Sequence, residues 1–169
     1  MDIKKDTGNV IQTDDPALIE SLMRRSPHEI VVVDDYQAVM VNELMSRSSE
    51  KGYEKFTDIG RNAWNIFTAA GALADNRRVY IMAHTQTDEF GSVRMKTVGK
   101  MVDQTLVPEG YFTIVLRTDV INGQYLFRTQ TNGQDCCKSP IDMFAEQHIP
   151  NDLAEVDAVI SEFYEVTTD

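Results

Sequence analysis

Cysteine is nearly absent from this chain: the neighbours Cys136 and Cys137 are the only two. Adjacent cysteines rarely bridge one another, and no Cys-x-x-Cys pair or Cys/His cluster offers a zinc site, so they read as reduced thiols of a cytoplasmic protein. Long apolar runs are missing too. No stretch approaches the roughly 20 residues of a membrane span, and the amino end, Met1-Asp2-Ile3-Lys4-Lys5-Asp6, has no apolar centre for a signal peptide. Positive charge is scarce: 16 Lys and Arg stand against 27 Asp and Glu, a formal net charge of −11. That argues against a general affinity for nucleic acid, which needs clustered Lys and Arg. Internal repeats, low-complexity tracts and linkers are likewise lacking. The absence with the largest consequence is a phosphate loop. No Gly-x-x-x-x-Gly-Lys-Ser/Thr motif occurs in the 169 residues. The single Gly-Lys pair, Gly99-Lys100, has Arg94 where the first glycine belongs and Met101 after it.

What is present describes one ordinary globular domain over residues 1–169, with 42% hydrophobic and 25% charged residues. Acid gathers at the carboxyl end, where Asp142 to Asp169 holds eight Asp or Glu and no Lys or Arg, a solvated face or tail. Base gathers in Arg77 to Lys100, and Arg77, Arg78 and Arg94 read first as surface residues and otherwise as the local strip that would meet a DNA backbone.

The run Ile30-Val31-Val32-Val33-Asp34-Asp35 stands out. Four apolar residues, three of them valine, predict a strand buried on both faces. Two carboxylates arrive where that strand ends, and ligands of open α/β sheets sit outside the carboxyl ends of strands. Arg77 to His84 predicts a second strand of this type, again with a polar residue at its end.

Around these strands, Gly8 to Thr13 is a short strand candidate. Asp14-Asp15-Pro16 caps a helix with Leu18, Ile19, Leu22 and Met23 on one face, stopped by Ser26-Pro27. Helices follow at about Gln37–Arg47 and Lys55–Ala74, the second carrying Phe56, Ile59, Ala63, Ile66, Phe67, Ala70 and Leu73 at helical spacing. Thr85 to Ser92 is polar and reads as a loop, and Val98 to Thr105 as a short helix. Tyr111–Thr118 and Gln124–Thr131 are strands joined through Asn122-Gly123, a hairpin signal, and a last helix runs from an Asn151 cap to Tyr164. This order predicts an α/β fold with a mostly parallel sheet and a small antiparallel extension at the carboxyl end.

These residues carry a resemblance. Val31-Val32-Val33-Asp34-Asp35-Tyr36-Gln37 and Gly52-Tyr53-Glu54-Lys55-Phe56-Thr57-Asp58-Ile59-Gly60 resemble the phage-encoded RecA-like P-loop ATPases grouped with single-strand annealing and recombination proteins. The likeness continues through Ala83-His84, Met95 to Lys100, Phe112 to Leu116, Thr129 to Gly133 and Lys138-Ser139-Pro140. It implies a RecA-like three-layer sandwich whose amino-terminal strand, phosphate loop and helix are missing, the chain corresponding to the family's carboxyl two-thirds. Residue by residue it makes Asp34 the Walker B acid that holds Mg²⁺ and Asp35 its neighbour that orients the attacking water. His84 becomes the polar sensor of the γ-phosphate. Lys96 and Lys100 become lysines offered to ATP across a subunit interface, provided a helix puts both on one face. Blander alternatives stand beside each role: a helix cap with a solvated acid, a hydrogen-bonded structural histidine, two surface lysines.

Two functions follow as expectations. One is an ATPase acting with single-stranded DNA in recombination, with ATP and Mg²⁺ bound weakly or not at all for want of the phosphate loop. The other is an interaction module or inhibitor built on the same fold. Without the family's central strand, the edge of Val79 to Ala83 is left open, so either Phe112 to Leu116 closes against it or a second molecule pairs with it, giving a homo-oligomer or a protein complex.

Overall fold

The computed structural model describes residues 9–166. The amino-terminal segment Met1–Asp6, Gly8 of the first strand candidate and Thr167 to Asp169 of the acidic run lie outside the described residues. The chain forms α1 (Pro16–Arg25), β1 (Ile30–Val33), α2 (Gln37–Ser46), α3 (Glu54–Gly71), β2 (Arg78–Ile81), β3 (Thr85–Thr87) and β4 (Val93–Met95). It continues with α4 (Gly99–Thr105), a 3-10 turn (Pro108–Tyr111), β5 (Arg117–Ile121), β6 (Gln124–Arg128), β7 (His148–Pro150) and α5 (Leu153–Phe163).

Local chemistry accounts for several of these boundaries. The Asp15 carboxylate accepts the N–H groups of Ala17 and Leu18 at 2.9 and 3.3 Å, and Pro16 opens the first turn of α1. α5 is capped by Asp152 rather than Asn151. The Asn151 N–H is held by the carbonyl of Tyr125 on β6, so the chain can turn into the helix only one residue later. The β5–β6 hairpin closes through Asn122 and Gly123, both left-handed with φ of 52° and 80°, as a two-residue loop requires.

The fold is mixed α/β with small, mostly antiparallel sheets: β1–β2 is parallel, β3–β4 antiparallel, and β5–β6–β7 antiparallel. Among the described strands parallel pairing is thus confined to β1 and β2, with one isolated parallel bridge between Val93 and Asp135 besides. Four local differences from the sequence reading explain the smaller sheet. Residues 9–13 form no strand, and Val10 and Ile11 are exposed. The segment from Tyr111 starts as a 3-10 turn and becomes a strand only at Arg117. Thr85 to Ser92 contains β3, paired with β4 across a turn in which Asp88 accepts the N–H groups of Phe90 and Ser92 at 2.9 and 2.8 Å. β1 is not buried on both faces: Val31 and Val33 point to the core while Ile30 and Val32 stay 40% and 47% exposed.

Two buried clusters explain that last difference. The larger joins α1, α2, α3 and α4 to one face of β1 and β2, with Met23, Met40, Ile59, Ile66 and Val102 at its centre. The smaller is built on Met143, Val156 and Ile160, with Tyr80, Ile114, Leu116 and Phe127 packed against it. β2 lies between the two, with Val79 and Ile81 on the first and Tyr80 on the second. The second cluster covers β2 but takes no residue from β1, whose outer face therefore stays open.

Candidate functional site

The turn that follows β1 is pinned from both sides. Val33, the last residue of β1, is buried and its carbonyl accepts the Met82 N–H at 2.9 Å, while the Tyr36 N–H donates to the Met82 carbonyl at 2.9 Å. The parallel ladder therefore continues past the end of β2, although the chain between Val33 and Tyr36 reverses. Asp35 makes the reversal with a left-handed φ of 50°, a conformation that Asp accepts more readily than most residues. Its N–H is received by the Asp34 carboxylate at 2.8 Å. Tyr36 is fully buried and its hydroxyl donates to the Ala63 carbonyl of α3 at 2.8 Å; burial pushes its phenol far above the usual range. Gln37, also buried, accepts the His84 N–H on its Oε1 at 2.9 Å.

The result is a rim at the carboxyl ends of two adjacent parallel strands. Asp34 and Asp35 follow β1, His84 follows β2, and His84 Nε2 lies 3.8 Å from Asp35 Oδ1 with both side chains well exposed. That separation permits ion pairing when the imidazole is protonated but is too long for a hydrogen bond. Lys96 is beside them through its main chain, its N–H donating to the His84 carbonyl at 2.8 Å, and its side chain is in solvent.

Lys100 belongs to a different element, the first turn of α4, and Lys96 to Gly99 separate it from the end of β4. The two lysines therefore do not share a helix face, because Lys96 lies outside the helix that their spacing of four requires. Each arginine of the basic strip has a partner within the protein. Arg77 donates to the Ser26 carbonyl at 2.8 Å beyond the end of α1, and Arg78 binds Asp157 of α5 at 2.7 Å. Arg94 is paired with Asp103 of α4, which also receives Gln86 and Thr97 at 2.8 Å each. All three arginines hold the protein's own elements together.

Sequence reasoning picked out Asp34, Asp35 and His84 and missed Tyr36 and Gln37, the residues that fix their placement. A polar Gln at the start of a helix carries no mark of burial in the sequence, and its partner is a main-chain group 47 positions away. Also missed was a charged cluster on the hairpin sheet: Asp119 with Arg128 at 2.6 Å, Arg117 at 3.3 Å and His148 at 3.4 Å, with Asp135 beside the two arginines.

As a metal site the rim is partial. Among the described residues no group of three or more His, Cys, Asp or Glu side chains is arranged to hold a metal ion. Magnesium does not need such a group, since it is bound through one or two carboxylates with waters and phosphate oxygens. The exposed Asp34 carboxylate fits that part; the phosphate-binding part has no motif in the sequence. Compared with protein families, curated proteins and solved structures, the chain matches none.

Proposed function

We propose that the chain is a RecA-like ATP-binding domain of the phage recombination type, able to engage the magnesium side of a nucleotide but lacking the loop that grips its phosphates. The observation that supports this reading is the placement of Asp34 and Asp35 after β1 and of His84, 3.8 Å from Asp35, after β2, at the carboxyl ends of neighbouring parallel strands, where nucleotide sites of such sheets lie. Asp34 would hold Mg²⁺, the ion that offsets phosphate charge. Asp35 would orient water, and His84 would respond to the terminal phosphate. Lys96 and Lys100 would serve a neighbouring subunit separately rather than as one helix face. Joined to a phosphate-loop unit, the domain would hydrolyse ATP and assemble on single-stranded DNA.

The second reading, a non-catalytic interaction module, is favoured by one observation: no phosphate loop stands anywhere in the 169 residues. Titration of MgATP, followed by calorimetry and by amide spectra, separates the two. The first reading expects weak binding, with shifts at Asp34, Asp35 and His84 that vanish in Asp34→Asn. Silence at these residues up to about 10 mM nucleotide, in the affinity range where only about 3 kcal/mol of binding energy remains, leaves the interaction module.

A further inference from the structure

Among the described residues β2 has one strand partner and one unpaired edge. Its N–H groups at Arg78 and Met82 are bonded to the carbonyls of Glu29 and Val33 on the β1 side. Successive residues of a strand present their main-chain groups to opposite sides, so those of Val79, Ile81 and Ala83 face away from β1. No described strand meets them there. Beside this edge is a cavity of about 950 Å³ lined by Arg78 to Thr85 and, among other segments, by Phe112 to Thr118. The second segment shows the same condition. Val115 exchanges hydrogen bonds with Lys138 at 2.8 and 3.0 Å, and alternation turns the main chain of Ile114 and Leu116 to the other side. The expected closure of Phe112 to Leu116 on Val79 to Ala83 does not occur: the two edges flank the cavity and are not paired with each other.

The cavity also has the layering of a sheet. Val79, Ile81, Ala83 and Phe112 pack on the larger buried cluster, while Tyr80, Ile114 and Leu116 pack on the smaller one, and Leu153, Val156 and Ile160 of α5 reach the lining. A strand of five residues is about 16 Å long, and with a strand spacing of about 4.8 Å and a layer of about 10 Å it fills roughly 800 Å³. The space therefore matches one strand with apolar cover on both faces.

We propose that this slot receives an extended segment of another polypeptide, inserted as a strand between β2 and the Ile114–Leu116 edge. Both faces of the insert meet apolar side chains, so the segment is a run of about five uncharged, mostly β-branched residues rather than an alternating one. A second copy of this chain is disfavoured as donor by charge, since each copy carries −11; basic residues flanking the apolar run complement that charge. The inference does not depend on nucleotide binding.

The test adds two synthetic peptides to the full chain: alternating valine and isoleucine between paired lysines, and the same sequence N-methylated at every second residue. The first is expected to bind one to one and to slow amide exchange at Val79, Ile81, Ala83, Ile114 and Leu116. The second, which keeps its N–H groups on one side only and so cannot donate to both edges, is expected to bind at least about tenfold more weakly. Failure of the first peptide to bind, equal binding of both, or binding that leaves those amides unchanged overturns the proposal. So does sedimentation of the chain alone as a dimer with those amides already protected, which makes a second copy the occupant.

Discussion

Asp35 sets the geometry of the rim because its left-handed φ of 50° lets the chain leave β1 and still return Tyr36 to the β2 ladder. A β-branched side chain resists that conformation, so Asp35→Val is expected to lower stability by about 1–2 kcal/mol in urea denaturation, while Asp35→Gly stays within about 1 kcal/mol. Equal costs for both would show that the charge of Asp35, not its backbone, matters to the fold. Asp119 makes a different kind of residue-scale contribution. Burial pushes its carboxyl up, but the Arg128 hydrogen bond and the charges of Arg128 and Arg117 outweigh this and leave it below the usual range. A carboxyl lowered in the folded state adds stability above its unfolded value near about 4 and loses it as pH falls through the folded value. Asp119→Asn is expected to cost about 2 kcal/mol at neutral pH, since it leaves Arg128 short of its charged partner, and less once the pH has fallen through the lowered folded value. A cost independent of pH would remove the ion pair from the explanation. Cys137, beside this cluster, has its thiol pushed up to about 12 by burial and then by the Asp135 charge, which suits an inert packing residue.

At the scale of elements, the hairpin β5–β6 gives the most direct check of turn chemistry. Gly123 has φ of 80° and open space where a Cβ would be placed, so Gly123→Ala meets only backbone strain, about 1 kcal/mol, readable in thermal unfolding. A loss well beyond that would mean that the turn also packs against something. This turn was legible in the sequence, as were the α1 cap at Asp15, the ends of β1 and β2 with Asp34 and His84, and the amphipathic face of α3. These features are local: each is set by residues within a few positions of one another. Misread elements depend on distant partners. Four apolar residues in β1 predict cover on both faces, yet Ile30 and Val32 are exposed because the cluster under α5 ends at β2. Tyr111 to Leu116 has strand-like composition, but its one bridge goes to Lys138, and no local pattern encodes that choice. Polar β3 and half-buried β4 escape notice because three residues each are too few to show a hydrophobic alternation.

At the scale of the whole molecule, the two buried clusters face each other across the slot, and polar contacts tie them where strands do not. Asp157 of α5 receives Arg78 Nε at 2.7 Å and Nη2 at 3.2 Å and also the Tyr80 hydroxyl, fastening α5 to β2 at one end of the cavity. Arg78 and Asp157 are only 11% and 14% exposed, so the pair lies in a setting where removing one partner leaves a poorly solvated charge. Arg78 retains the Asn76 carbonyl at 2.8 Å and Glu29 at 3.6 Å, which limits the damage. Asp157→Ala is therefore expected to cost about 2–3 kcal/mol and to act locally before it acts globally. Amide exchange should rise first in α5 and β6–β7, while the helices of the larger cluster, α1 and α3 above all, keep their protection. An insert in the slot would replace the lost tie with two edges of main-chain bonds, so the apolar peptide should restore most of the lost stability. Uniform loosening of both clusters in Asp157→Ala would mean that they unfold as one unit and that the slot is rigid without its occupant.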